Sequence, residues 1–193
     1  MKKIILIGAG GHAKSCIDVI ESEKKFKIIG LIDNKRKENI LNYKILGDDK
    51  ILLNLYKSVK YAFITVGHLY EPNIRVKIYK KLKKIGFILP VIKSPFSRVS
   101  KYASILEGTI IMHGSIIYPG ANIGKNCILN SQSLVEHNVK IGDFSHLSTN
   151  CTVNGDVQVG SNSFLGSSST VKEGIKISSK TFIKANSLVK KNI

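Results

Sequence analysis

The chain has 193 residues, a net charge of +17 and a hydrophobic content of 43%. That length holds one large domain or two small ones, and no apolar run approaches the roughly 20 residues that a membrane-spanning helix needs. The lysines are scattered and no aromatic side chains are interleaved with them, so the charge reads first as a solvated surface, with a general attraction for anionic substrates as the alternative and no sign of base stacking on nucleic acid.

The opening MKKIILIG imitates a signal peptide for a few residues. Its apolar run stops after Ile7 in a glycine turn followed by His12 and Lys14, which predicts a buried strand over 3–8. Ala13, Cys16, Ile17 and Ile20 then mark one face of a helix. Further strands are predicted over 27–33 and 61–67. A helix follows from 72, with Ile74, Ile78, Leu82 and Ile85 as its buried stripe and Lys77, Lys80, Lys81, Lys83 and Lys84 as its wet face. Gly86 is its stop signal. Strand and helix alternating over residues 1–90 imply a small parallel α/β sheet, Rossmann-like but too small for a full dinucleotide fold. Within it, Gly8-Ala9-Gly10-Gly11-His12-Ala13 follows a strand and opens a helix, and Asp33 ends the next strand. A loop of this kind turns backbone N–H groups and a helix N-terminus toward phosphate. Cys16, Cys127 and Cys151 are odd in number and lack metal-like spacing, so they are expected to be buried free thiols in a reducing cytoplasm.

From Val99 the pattern changes to a strict period of six. Position one is aliphatic in every unit, at Val99, Ile105, Ile111 and onward to Ile183 and Val189. Such a run has a chance probability on the order of 10⁻⁸, so it is a repeat. Position five is small or β-branched, as at Ala103, Thr109, Ser115, Ala121, Cys127 and Ser133. Position four is rich in Gly and Asn, the residues that tolerate a left-handed backbone. The physical reading is a coil of short strands over 91–193: aliphatics fill the interior, Gly or Asn turns the corners, and stacking makes the core continuous.

This pattern resembles the hexapeptide-repeat acyltransferases, whose fold is a left-handed parallel β-helix with three units per coil. The stretch LNSQSLVEHNVKIGDFSHLSTNCTVNGDVQVG, together with GAGGHA at the front, is similar to the bacterial nucleotide-amino-sugar N-acetyltransferases of the bacillosamine pathway and to sialic acid O-acetyltransferases. The resemblance implies acetyl transfer from acetyl-CoA to the amine of a UDP- or dTDP-linked 4-amino-4,6-dideoxyhexose, for surface polysaccharide or glycoprotein glycans. O-acetylation of a sialic acid is the alternative.

The resemblance also implies roles. His137 is the general base, a task suited to an imidazole because its ordinary pKa lies at about 6.5. Glu136 is the carboxylate that orients it, and Asn130 lies near the sugar. Gly155 presents a backbone N–H to the developing oxyanion, and both Gly155 and His146 lie beside acetyl-CoA. In the front domain Asp33 and Asn34 meet the base, while Gly10, Gly11, His12, Gly67 and His68 meet the phosphates or sugar. The implied assembly is a cytoplasmic homotrimer with no nucleic-acid or membrane partner. One departure stands out, because the acidic residue usual after the base is here Asn138. A γ-type carbonic anhydrase shares the β-helix, but His113, His137 and His146 lack the close H-x₄-H pair expected there, so no metal is expected.

Overall fold

Strand β1 (Lys2–Ile7) opens the chain, and its last four residues are buried, as an apolar run covered on both faces must be. The computed structural model describes residues 1–69 and 72–193. β1 pairs in parallel with β2 (Phe26–Ile32) and β4 (Tyr61–Ile64), and β3 (Ile45–Gly47) adds to β2, giving the order β3-β2-β1-β4. Helix α1 (Gly11–Glu23) buries Ala13, Cys16, Ile17 and Ile20 as its periodicity predicts. A 3-10 turn at Asp49–Ile51 leads into the short α2 (Leu52–Leu55). β3 and α2 escape sequence reading because three or four residues are too few to show a period.

Helix α3 (Asn73–Ile85) ends at Gly86, whose φ of 106° fits a glycine stop. Its apolar stripe departs from expectation. Leu82 is fully buried, but Ile74 is 63% exposed, and Arg75 takes the buried place beside it. The guanidinium is anchored there: Nη1 donates to the carbonyls of Ile64 at 3.1 Å and Val66 at 2.6 Å, at the end of β4. A hydropathy pattern assigns arginine to water and cannot foresee this arrangement.

The second unit comprises Val91–Ile193 together with His68, Leu69 and Pro72, while Met1–Gly67 and Asn73–Pro90 form the first. It is a left-handed parallel β-helix of two-residue strands. Three sheets run along it. The first extends from Ile92–Lys93 to Phe182–Ile183, the second from Arg98–Val99 to Leu188–Val189, and the third from Ser104–Ile105 to Lys176–Ile177. Strands pair in register with those one coil away, as Leu129 does with Leu147 and Val135 with Val153. The position-one aliphatics from Ile111 to Val189 form the core, with Val99 and Ile105 packed against it. The helix starts one unit before the aliphatic run: Lys93 holds position one there and is exposed, a polar end to the stack.

The corners obey one backbone rule. Every sixth residue from Gly108 to Asn186 has positive φ, whether it is Gly114, Asn126, Gln132, Phe144 or Lys180. Gly and Asn adopt this shape readily. At Gln132, Phe144 and Lys180 the stacked coils impose it instead. All three cysteines are buried free thiols. Burial pushes Cys151 up to about 11, and Cys16 up to about 12 against the opposing pull of Arg75.

Candidate functional site

In the first unit the glycine loop borders a cavity of about 680 Å³. Gly10 is the N-cap of α1 and supplies no side-chain cap, and no acidic residue occupies the first turn. The space where Cβ atoms would stand on Gly10 and Gly11 is open, which leaves the positive end of the helix dipole uncovered toward the cavity. Gly8 is glycine for a different reason: at φ 107° a Cβ would meet Val66 Cγ2 at 2.4 Å.

Asp33 holds this loop in place. Its Oδ2 accepts from Ala9 N–H at 2.8 Å, and its Oδ1 accepts from the N–H groups of Lys35 and Arg36 at 2.8 and 2.9 Å. Burial pushes its pKa up, but those three donors and the charge of Arg36 outweigh burial and hold the carboxyl below the ordinary carboxylate value. Asn34 is also engaged, its Oδ1 accepting from Asp49 N–H at 3.0 Å. Asp33, Asn34, Gly10, Gly11, His12 and Gly67 all line the cavity, and His12 packs next to Gly67. Lys35, Asp49, Ile74, Lys77 and Ile78 line it as well, whereas the helical stripe predicts Ile74 in the core and Lys77 in bulk water.

His68, the remaining residue expected there, belongs to the second unit. Its backbone carbonyl accepts from His146 Nδ1–H at 2.8 Å, and the two rings stand 5.4 Å apart. His146 occupies an outward slot of the first sheet but is only 6% exposed, edge-on to Phe164 at 5.1 Å. With Nδ1–H committed to a carbonyl, the neutral ring carries its lone pair on Nε2, which faces Asn130 Nδ2 at 3.5 Å. Asn130 and His146, sixteen residues apart in the chain, are thus brought together.

His137 lies elsewhere, in the turn between Leu134–Val135 of the second sheet and Lys140–Ile141 of the third. Its side chain is 57% exposed. Gly155, one coil on, lies directly beneath the ring: a Cβ there would come within 2.6 Å of Nε2 and 2.5 Å of Cε1. Glycine at 155 is therefore a matter of room for the imidazole. No hydrogen bond or ion pair among the described residues joins Glu136 to the ring. The nearby carboxylate is Asp156, with Oδ2 3.9 Å from His137 Nδ1. Asn138 bridges them, its Nδ2 donating to Asp156 Oδ1 at 3.1 Å and standing 3.4 Å from His137 Nδ1. Asp156 sits at position four, one coil beyond Asn138, where the period alone suggests only a corner residue. Its signal is visible only once residues eighteen apart are stacked.

His113 does not join either histidine, and its Nδ1 lies 2.6 Å from Ser94 Oγ. Among the described residues, no three His, Cys, Asp or Glu side chains gather as metal ligands. Among the described residues, no helix is long and apolar enough to cross a membrane.

Comparison with known proteins follows the division between the units. Residues 3–82 match the PglD N-terminal domain, and residues 156–191 match the hexapeptide repeat of succinyl-transferase. Perosamine N-acetyltransferase from Caulobacter crescentus, solved with CoA and GDP-perosamine, is similar over 100% of this chain and 90% of its own, at 26% identity and a TM-score of 0.94. The acetyltransferase domain of PglB from Neisseria gonorrhoeae FA1090, in complex with acetyl coenzyme A, has the same fold at 23% identity and a TM-score of 0.94, covering 100% and 92%. WeeI from Acinetobacter baumannii AYE shares the fold at 19% identity and a TM-score of 0.74, covering 97% and 96%.

Proposed function

We propose that this chain, which resembles the nucleotide-amino-sugar N-acetyltransferases from its glycine loop to its last coil, is an acetyl-CoA-dependent N-acetyltransferase whose acceptor is an amino sugar on a nucleoside diphosphate. The observation that carries the reading is the pairing of an open glycine-loop cavity in one unit with an exposed imidazole over a glycine in the other. Similarity at 26% identity to an enzyme solved with CoA and GDP-perosamine supports it. We assign the acceptor to the 4-amino-4,6-dideoxyhexoses, carried on UDP or dTDP.

Bound acetyl-CoA supplies a thioester, which an amine can attack without an enzyme nucleophile. The chain's own task is to remove the amine's proton. Nε2 of His137 is the atom for this, because it overlies Gly155 in a side chain that is 57% exposed. For Nε2 to accept, Nδ1 must hold a proton and direct it to an acceptor. Asp156 Oδ2 is that acceptor, and from 3.9 Å it must close by about 1 Å to form a hydrogen bond. At rest Asn138 competes for the same position, since Asp156 fixes its amide with an N–H toward Nδ1. Asp156 thus restores, from the next coil, the acidic neighbour that Asn138 lacks. Gly10, Gly11 and Asp33 shape the nucleotide end, the first two as open backbone and the third as the clamp on Ala9.

Within one chain His137 projects from a corner beside the third sheet, whereas His146 and Asn130 lie on the first. A site that uses all three needs a neighbouring copy, which supports a homotrimer. Ultracentrifugation at assay concentration is expected to give three times the monomer mass, and a lone monomer would refute that assembly. The activity itself is tested by thiol release from acetyl-CoA against UDP-, dTDP- and GDP-amino sugars. The expected outcome is turnover with an amino sugar and none with its hydroxyl counterpart. Turnover of the hydroxyl sugar alone would move the reading to O-acetylation.

A further inference from the structure

We infer that the first two turns of α3 complete the nucleotide site, with Lys77 contacting the diphosphate and Ile74 packing against the base or ribose. The inference rests on the functional reading above and assigns ligand contacts to residues that hydropathy gives to bulk water and to the core.

Ile74, Lys77 and Ile78 are spaced three and four apart, so they share one helical face, and all three line the cavity that contains Gly10, Gly11 and Asp33. That face is set by Arg75. Its fully buried guanidinium is bonded to the Ile64 and Val66 carbonyls, which pins the adjoining face of the helix to the end of β4. Arg75 is therefore a positioning residue: by taking the buried slot, it turns Ile74 out into the cavity. An isoleucine 63% exposed at a cavity wall is apolar surface in need of a cover, and the flat face of a base supplies one. Lys77 is an exposed cation on the same wall. The carboxylates nearby are already engaged, Asp33 by three backbone N–H groups and Asp49 by Lys81 at 3.0 Å. The uncapped N-terminus of α1 and Lys77 thus leave the cavity with positive potential for a diphosphate.

The test titrates UDP, GDP and dTDP calorimetrically into the full-length wild type, Lys77→Ala, Ile74→Ser and Lys80→Ala. Lys80 is exposed on the same helix but does not line the cavity, and alanine keeps the helix. Lys77→Ala is expected to weaken UDP and GDP alike by roughly tenfold, as loss of one charged contact to their shared diphosphate, with the deficit shrinking at high salt. Ile74→Ser is expected to weaken both severalfold, and Lys80→Ala to match wild type. The KM for acetyl-CoA should stay unchanged in all three. Wild-type nucleotide affinity in Lys77→Ala, or equal losses in Lys77→Ala and Lys80→Ala, would overturn the inference and leave the functional reading intact. Failure of the wild type to bind UDP, GDP or dTDP would overturn both.

Discussion

The two units solve the problem of placing functional groups in opposite ways. In the β-helix a residue's environment follows from its place in a six-residue unit: position one faces the core, position four turns the corner with positive φ, and the next coil repeats the plan. In the α/β unit the decisive contacts join residues far apart with no period between them. Asp33 clamps Ala9, and Arg75 binds the end of β4. A repeat thus carries local rules along its length, whereas a sheet with crossover helices depends on partners that sequence spacing does not reveal.

The sharpest test of this contrast is at His137, where the repeat supplies a slot but chemistry fills it. His137→Ala should lower kcat by roughly 10²–10⁴-fold. Its melting temperature should stay near wild type, because an outward corner side chain leaves no cavity in the core. Retention of more than a third of wild-type turnover would remove His137 as the base. In the core the expectation reverses. Leu147 is fully buried, so Leu147→Ala should cost about 2–5 kcal/mol in denaturant unfolding. A loss under about 1 kcal/mol would mean that stacked coils relax around a missing side chain more readily than globular cores do.

The corner rule is tested at Gly174, where φ is +70° and nothing stands within 4 Å of an added Cβ. Gly174→Ala should therefore report the backbone alone, at about 1–2 kcal/mol, and Gly174→Asn should recover most of that loss. If alanine and asparagine unfold alike, stacking and not residue preference sets the corner. The smallest effect is expected in the α/β unit at acid pH. Asp33 has a folded pKa below its ordinary value, so its stabilising contribution is present above about pH 4 and is lost as pH falls through the folded value. Asp33→Ala should flatten the acid limb of the stability curve, and should raise the KM for the sugar nucleotide but not for acetyl-CoA. An unchanged acid limb would show that the loop holds without its clamp.

The sequence alone determined the repeat, its phase and the inward aliphatics, because a period of six repeated along the second half leaves no other way to bury them. It also determined the glycine loop and α1, while His137 enters as the candidate base only through the family resemblance. Tertiary structure alone decided who stands next to whom. Glu136 is adjacent to His137 in the chain, yet the ion pair at the ring is with Asp156, from the next coil. His68 follows the glycine-loop strands in sequence, yet its carbonyl holds His146. Ile74 fits a helical stripe, but the buried hydrogen bonds of Arg75 rotate it outward. In each case periodicity reports which way a residue faces along its own element, whereas a site is made by stacking and crossover, which bring together residues with no fixed separation in the chain.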